Sequence, residues 1–178
     1  VRNNYRNGEL DGLSEQFHSY NGKLHEKIFY RIGKYDGLYE SFWINGNLNI
    51  KCWWKNGKYD GAYEEWYKNG QLNKKYLFKN GKLDGLCEQW YETKQLQLKC
   101  CYKNGILDGL YESYYKNGNS RIKYWYKDAE CHGLYKCWYN NGRLQRRCNY
   151  KSGKLDSLNF GMKMVNYVRN LFLKMINL

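Results

Sequence analysis

The sequence of 178 residues holds 30 Lys and Arg against 17 Asp and Glu, and its formal charge of +13 favours anionic partners such as nucleic acid, acidic lipid or an acidic protein surface while also promoting solubility. Seven cysteines, an odd number without the spacing of a small secreted domain, point to a reducing, intracellular setting; the lack of a signal peptide or a long apolar run argues against secretion and against a transmembrane span. Proline is absent, and 20 Tyr beside a mean hydropathy of −0.94 suit a sheet that is wet on part of its surface.

The first turn met along the chain, Asn7-Gly8, opens a series that continues at Ile32-Gly33, Asn56-Gly57, Asn80-Gly81, Asn104-Gly105 and Ser152-Gly153, and is broken at Asp128-Ala129. A second series alternates with it at Asn21-Gly22, Asn45-Gly46, Asn69-Gly70, Asn117-Gly118 and Asn141-Gly142, and is broken at Thr93-Lys94. Asn-Gly between alternating residues is the strongest short-range hairpin signal, because both residues accept the positive φ of a type I′ turn. Turns 11 and 13 residues apart leave room for one strand between each pair, which predicts an antiparallel meander of about 12 or 13 strands.

A further glycine recurs at Gly12, Gly37, Gly61, Gly85, Gly109 and Gly133, in one step of 25 and four of 24 residues. A fixed period of this size marks an array whose units bury surface against their neighbours. The expected fold is all-β: an elongated single-layer antiparallel meander of about six 24-residue hairpin repeats over residues 1–157, with a C-terminal amphipathic α-helix over 158–178 as its cap. At about 4.8 Å per strand the ribbon would be roughly 60 Å long, with an unpaired edge at each end that makes self-association through the terminal repeats plausible.

Charges test the register. Counting outward from two-residue turns puts Glu40 opposite Lys51, Glu64 opposite Lys75, Glu88 opposite Lys99 and Glu112 opposite Lys123. A slip by one residue would lose all four pairs, so they specify register although each contributes only about 0.2–1 kcal/mol. In the first unit one extra residue calls for a bulge if Glu15 is to meet Lys27, and in the last Lys136 faces Arg147, a like-charge pair that sets that end apart. Alternation puts Leu86, Glu88 and Trp90 on one face, and Tyr63 and Tyr67 with their equivalents on the other, as aromatic ladders that build the fold or, in the sharper reading, bind peptides or bases.

These units resemble MORN repeats over roughly residues 5 to 157. The family's core, an aromatic followed by two spaced glycines, is matched by Phe78, Gly81 and Gly85, by Tyr102, Gly105 and Gly109, and by Trp54, Gly57 and Gly61. Tyr76 and Cys87 stand where the best-known form has further glycines, and the second half-repeat, such as Tyr67 to Gly70, is similar to a variant found in bacterial antitoxin components and in large DNA viruses. The resemblance implies a scaffold, dimerisation module or membrane-binding module.

Beyond Ser157 the period becomes helical, with Met164, Val168, Leu171, Phe172 and Met175 on one stripe and Lys163, Arg169 and Lys174 off it. Asp156 or Ser157 is the expected N-cap. The tail reads as a cap over the last strands; a partner-binding helix and an interfacial membrane helix are the alternatives.

Cations follow one rim of the ribbon, among them Lys55, Lys58, Lys79, Lys82, Lys103 and Lys127, as a solvated rim or as a site for acidic lipid or nucleic acid; Asp36, Asp60, Asp84 and Asp108 sit near the same turns. Cys87 and Cys100 come out directly opposite, a reduced pair in this compartment with a cross-strand disulfide as the alternative. Cys131, His132 and Cys137 match no zinc spacing, and no nucleophile set or phosphate-binding loop occurs, so neither metal, cofactor nor catalysis is expected.

Repetition without a catalytic constellation points to a scaffold for other proteins. Abundant Asn, Lys and Tyr fit an A+T-rich genome, which admits a structural role in a virus particle. An antitoxin-like neutralising binder and a peripheral binder of acidic membrane or nucleic acid are the rival readings.

Overall fold

The computed structural model describes the backbone of residues 1–160 and the side chains of residues 1–156. Its strands are β1 (Tyr5–Arg6), β2 (Glu9–Leu10), β3 (Gly12–Phe17), β4 (Leu24–Arg31), β5 (Lys34–Phe42), β6 (Leu48–Lys55), β7 (Lys58–Trp66) and β8 (Leu72–Lys79). They continue as β9 (Lys82–Leu83), β10 (Gly85–Trp90), β11 (Leu96–Lys103), β12 (Ile106–Leu107) and β13 (Gly109–Tyr114). The last four are β14 (Ser120–Lys127), β15 (Glu130–Trp138), β16 (Leu144–Lys151) and β17 (Lys154–Phe160). From β3 to β17 thirteen of them pair in chain order as one antiparallel meander; β9 and β12 attach to β8 and β11, and β1 pairs β2 separately. No helix occurs among the described residues.

The two turn series differ in kind. In the first, both residues have positive φ, for example Asn56 at 50° and Gly57 at 74°, as a type I′ turn requires. Asp128 and Ala129, at 51° and 65°, adopt the same conformation, so the break seen in sequence is not a break in structure. The second series is not type I′, contrary to expectation: Gly70 has φ 83° but Asn69 is not in the positive region. Tyr67 N–H donates to Gln71 O at 2.8 Å and Gly70 N–H to Tyr67 O at 2.9 Å, closing a loop of Lys68, Asn69 and Gly70. The Asn69 side chain accepts from Gln71 N–H at 3.0 Å, which holds the turn.

Register is recovered one step further out. Trp66 faces Leu72 but Glu65 faces Lys74, so Asn73 is bulged, and the longer loop and the bulge cancel. The same shift recurs at Gln16/Phe17, Ser41/Phe42, Gln89/Trp90, Ser113/Tyr114 and Cys137/Trp138. In the first unit Glu15 does face Lys27; its extra residue enters the loop, where His18 N–H donates to Lys23 O at 2.8 Å, and needs no further bulge.

Burial comes mostly from one face, with Glu40, among the described residues, the buried residue of the other. Cys52, Cys87, Cys100 and Cys148 are at most 2 % exposed. Cys52 faces Tyr39 and Tyr63 on its two neighbouring strands, so this small thiol lies sheltered between two large rings, and Cys148 faces Tyr135 on one side. Tyr63 and Tyr76 stack at 5.9 Å between centroids. The second glycine of the units up to Gly109 answers the other face: at Gly61, φ +119°, an added Cβ would come within 3.2 Å of Trp53 Cβ, and at Gly37 within 2.9 Å of Phe29 Cβ, whereas at Gly133 it would meet nothing within 4 Å.

The final strand runs to Phe160, three residues past the boundary expected at 157, because Leu158, Asn159 and Phe160 pair with Cys148, Arg147 and Arg146. Asp156, expected as a helix cap, lies in β17 and accepts from Asn149 Nδ2 at 3.2 Å. The rest of the expected helix, with Met164, Val168, Leu171, Phe172 and Met175, falls outside the described residues.

Candidate binding surface

On one face the charged residues form a single row across the sheet. Glu40–Lys51, Glu64–Lys75, Glu88–Lys99 and Glu112–Lys123 approach to 3.2, 3.0, 3.3 and 2.6 Å. Between hairpins the same residues face each other again, Lys27 with Glu40, Lys51 with Glu64, Lys75 with Glu88 and Lys99 with Glu112. Arg2, bridged to Glu15, adds a cation at the near end. Signs therefore alternate from Arg2 through Lys123, and each inner charge has an opposite on both sides. Glu40 shows the effect: burial raises its pKa, but hydrogen bonds and attraction from Lys27 and Lys51 outweigh this and hold it below the ordinary value.

Alongside this row runs an apolar one. Phe29, Trp53, Leu77 and Trp125 are 43, 46, 40 and 54 % exposed, although each large side chain packs over or beside a repeat glycine. Leu38 faces Trp53, Leu86 faces Cys101 and Leu110 faces Trp125, so the row is continuous across the hairpins. A shallow depression of about 560 Å³ adjoins Trp125, lined also by Lys103, Asp108, Lys127 and His132.

The rim cations stand at the turn end of the same strands: Lys55 and Lys79 lie two residues beyond Trp53 and Leu77, and Lys103 and Lys127 line the depression beside Trp125. Lys55 faces Lys58 and Lys79 faces Lys82 across type I′ turns, and all four are exposed. Lys103 faces Ile106 and Lys127 faces Glu130, so the cationic rim is interrupted in its middle. The neighbouring aspartates are occupied: Asp36, Asp60 and Asp84 accept from the backbone N–H of Asn56, Asn80 and Asn104 at 3.4, 3.2 and 3.1 Å, each fastening the next unit's turn. At the opposite rim Tyr67, Tyr91 and Tyr115 hydroxyls donate to Trp90, Tyr114 and Trp138 carbonyls at 2.9, 3.0 and 2.8 Å. Both rims thus tie each unit to its successor.

All seven cysteines are free, and Cys87 faces Cys100 as the register required. Burial drives the Cys52 thiol up to about 11. Among the described residues no group of three or more His, Cys, Asp or Glu is placed to hold a metal, and no helix is long and apolar enough to cross a membrane. The charge pairing between hairpins escaped the sequence reading, which counted only across turns; continuing the same arithmetic through the next turn would have found it.

A family described as MORN repeat variant matches four consecutive segments, residues 59–80, 83–104, 107–128 and 132–155, together about half of the chain. No curated protein matches the sequence.

Proposed function

Since the chain belongs to the MORN repeat variant family, we propose that it is a non-catalytic repeat scaffold whose glutamate–lysine face binds another protein. The observation that carries this reading is the exposed apolar row of Phe29, Trp53, Leu77 and Trp125. A continuous apolar strip left in water is the usual mark of an interaction surface, and the alternating charges beside it neutralise one another while adding polar specificity. Such a scaffold fits a structural component of a larger assembly such as a virus particle, and equally an antitoxin-like neutralising binder.

Affinity capture from native extract, across a salt series, tests the reading with the native chain beside a Trp53→Ser/Leu77→Ser variant. A stoichiometric protein that survives moderate salt and is lost with the variant supports it. Retention of the same protein by the variant overturns it. The facing cations Lys55–Lys58 and Lys79–Lys82 favour a second reading, a peripheral binder of acidic membrane or nucleic acid, because like charges held opposite gain from an anion between them. Capture of only lipid or nucleic acid, washed off by salt, would select it.

A further inference from the structure

The alternating row stops at one place. After Glu112 and Lys123 the next strand presents Lys136 and the one after it Arg147, so Lys136 stands between two cations, where every inner position from Glu15 to Glu112 stands between opposites. Lys123 Nζ is engaged by Glu112 at 2.6 Å, and neither Lys136 nor Arg147 has an ion pair among the described residues. Beyond Arg147 the row meets Asn159, which carries no charge.

The imbalance extends past the row. From Cys131 onward the sequence holds nine of the 30 cations and, in Asp156, one of the 17 acids. That acid lies in β17 beside Asn149, in a different row. β15 and β16, which carry Lys136 and Arg147, hold one acid between them, Glu130, and it faces Lys127 at the rim, so neither strand places a carboxylate beside the gap.

Apolar surface adjoins the gap. Trp125 lies two residues from Lys123 on β14, Leu134 two residues from Lys136 on β15, and they are 54 and 37 % exposed. Adjacent strands bring the three cationic positions within about 10 Å of one another, a spacing that side-chain carboxylates on one extended or helical segment span.

We propose that Lys136 and Arg147, with Lys123 beside them, form a carboxylate-binding row that receives an acidic, amphipathic segment of a protein partner, whose apolar residues rest on Trp125 and Leu134. This deepens the scaffold reading by naming the chemistry of the partner and the place on the array where it docks. The acidic residue missing from the row is supplied in trans. Repulsion held in the free sheet is relieved on binding, which makes the contact both strong and selective for a negative partner. A protein segment is favoured over a lipid surface or a nucleic acid because the cations are set among apolar side chains on a sheet face.

The test uses the full chain and a short capped peptide alternating Glu with Leu, with its Gln-for-Glu counterpart, phosphatidylserine vesicles and single-stranded oligothymidine as competing probes. Lys136→Glu restores the alternation, so its thermal midpoint should equal or exceed that of the native chain, which separates lost binding from lost folding. The expected result is binding of the Glu peptide, not its Gln counterpart, weakened about tenfold or more by Lys136→Glu and unaffected by Lys79→Glu on the rim. No binding of the Glu peptide, equal binding by Lys136→Glu, or tighter binding of vesicles or oligothymidine through Lys136 would each overturn the proposal. Trp53 and Leu77 lie on other hairpins, so retention of captured protein by their double variant with peptide binding intact shows that the scaffold reading alone has failed, whereas loss of captured protein in that variant with no peptide binding by the native chain shows that this proposal alone has failed.

Discussion

Lys27 and Glu40 belong to different hairpins, yet Lys27 Nζ approaches Glu40 Oε2 to 2.7 Å, closer than Lys51, the hairpin partner of Glu40, at 3.2 Å. At this junction side chains couple one repeat to the next as firmly as they close the hairpin; at the following three junctions Lys51 and Glu64, Lys75 and Glu88, and Lys99 and Glu112 are opposed in register, and the tyrosine and aspartate hydrogen bonds of the two rims make the tie. An array with such junctions should unfold by propagation between neighbours, with the junctions setting its cooperativity.

Replacing Glu40 with Gln should cost about 1–2 kcal/mol, since two partly exposed lysines lose their common partner. The folded carboxyl is held below the unfolded value of about 4.3, so its contribution is complete above that pH and is lost as pH falls through the lower folded value. Denaturant unfolding of both chains from about pH 6 to about pH 2 should show a shallower acid limb for Glu40→Gln.

Backbone conformation separates the repeat glycines. Gly61→Ala, at φ +119° with Trp53 Cβ 3.2 Å away, should destabilise by about 2–4 kcal/mol, whereas Gly57→Ala, at φ +74° in open space, should cost about 1 kcal/mol. Ala129 already occupies the second position of such a turn at φ 65°, so Ala129→Gly should stabilise by about 1 kcal/mol. Thermal melts of the three variants give the order directly.

Tyr67→Phe removes the hydroxyl that donates to Trp90 O at 2.9 Å and leaves the ring in place. The expected loss is about 1 kcal/mol, repeated for Tyr91→Phe and Tyr115→Phe. Hydrogen exchange should locate the weakening at the junction to the following unit, not within the mutated hairpin.

Thiol reactivity reports the sheltered face. With a thiol-specific reagent at about pH 8, Cys101 and Cys131, which are partly exposed, should react first. Cys52, at 1 % exposure and with a pKa pushed by burial up to about 11, should react only on unfolding. Peptide mass mapping at successive times shows the order.

The meander and its register were legible because Asn-Gly turns and Glu/Lys positions repeat, and repetition multiplies a weak local signal. The turn chemistry of the second series was not, since Asn69-Gly70 reads alike whether Asn69 takes positive φ or accepts a bond from Gln71 N–H. The count from a two-residue turn reached Glu64–Lys75 only because the bulge at Asn73 offsets the longer loop, and a bulged polar residue looks like any other outward one. Whether Phe29 or Trp53 would remain in water was hidden for another reason: alternation assigns a side chain to a face, but only the packing of neighbouring strands decides what covers it.

Each complete hairpin from β5 to β14 contributes one acid and one base to the charged row. Tandem duplication or loss of a whole 24-residue unit in the gene would leave the signs in phase, whereas a half-unit change would set like charges in contact. Replication slippage can therefore lengthen or shorten the ribbon by whole units while the two ends, and whatever they recognise, stay unchanged.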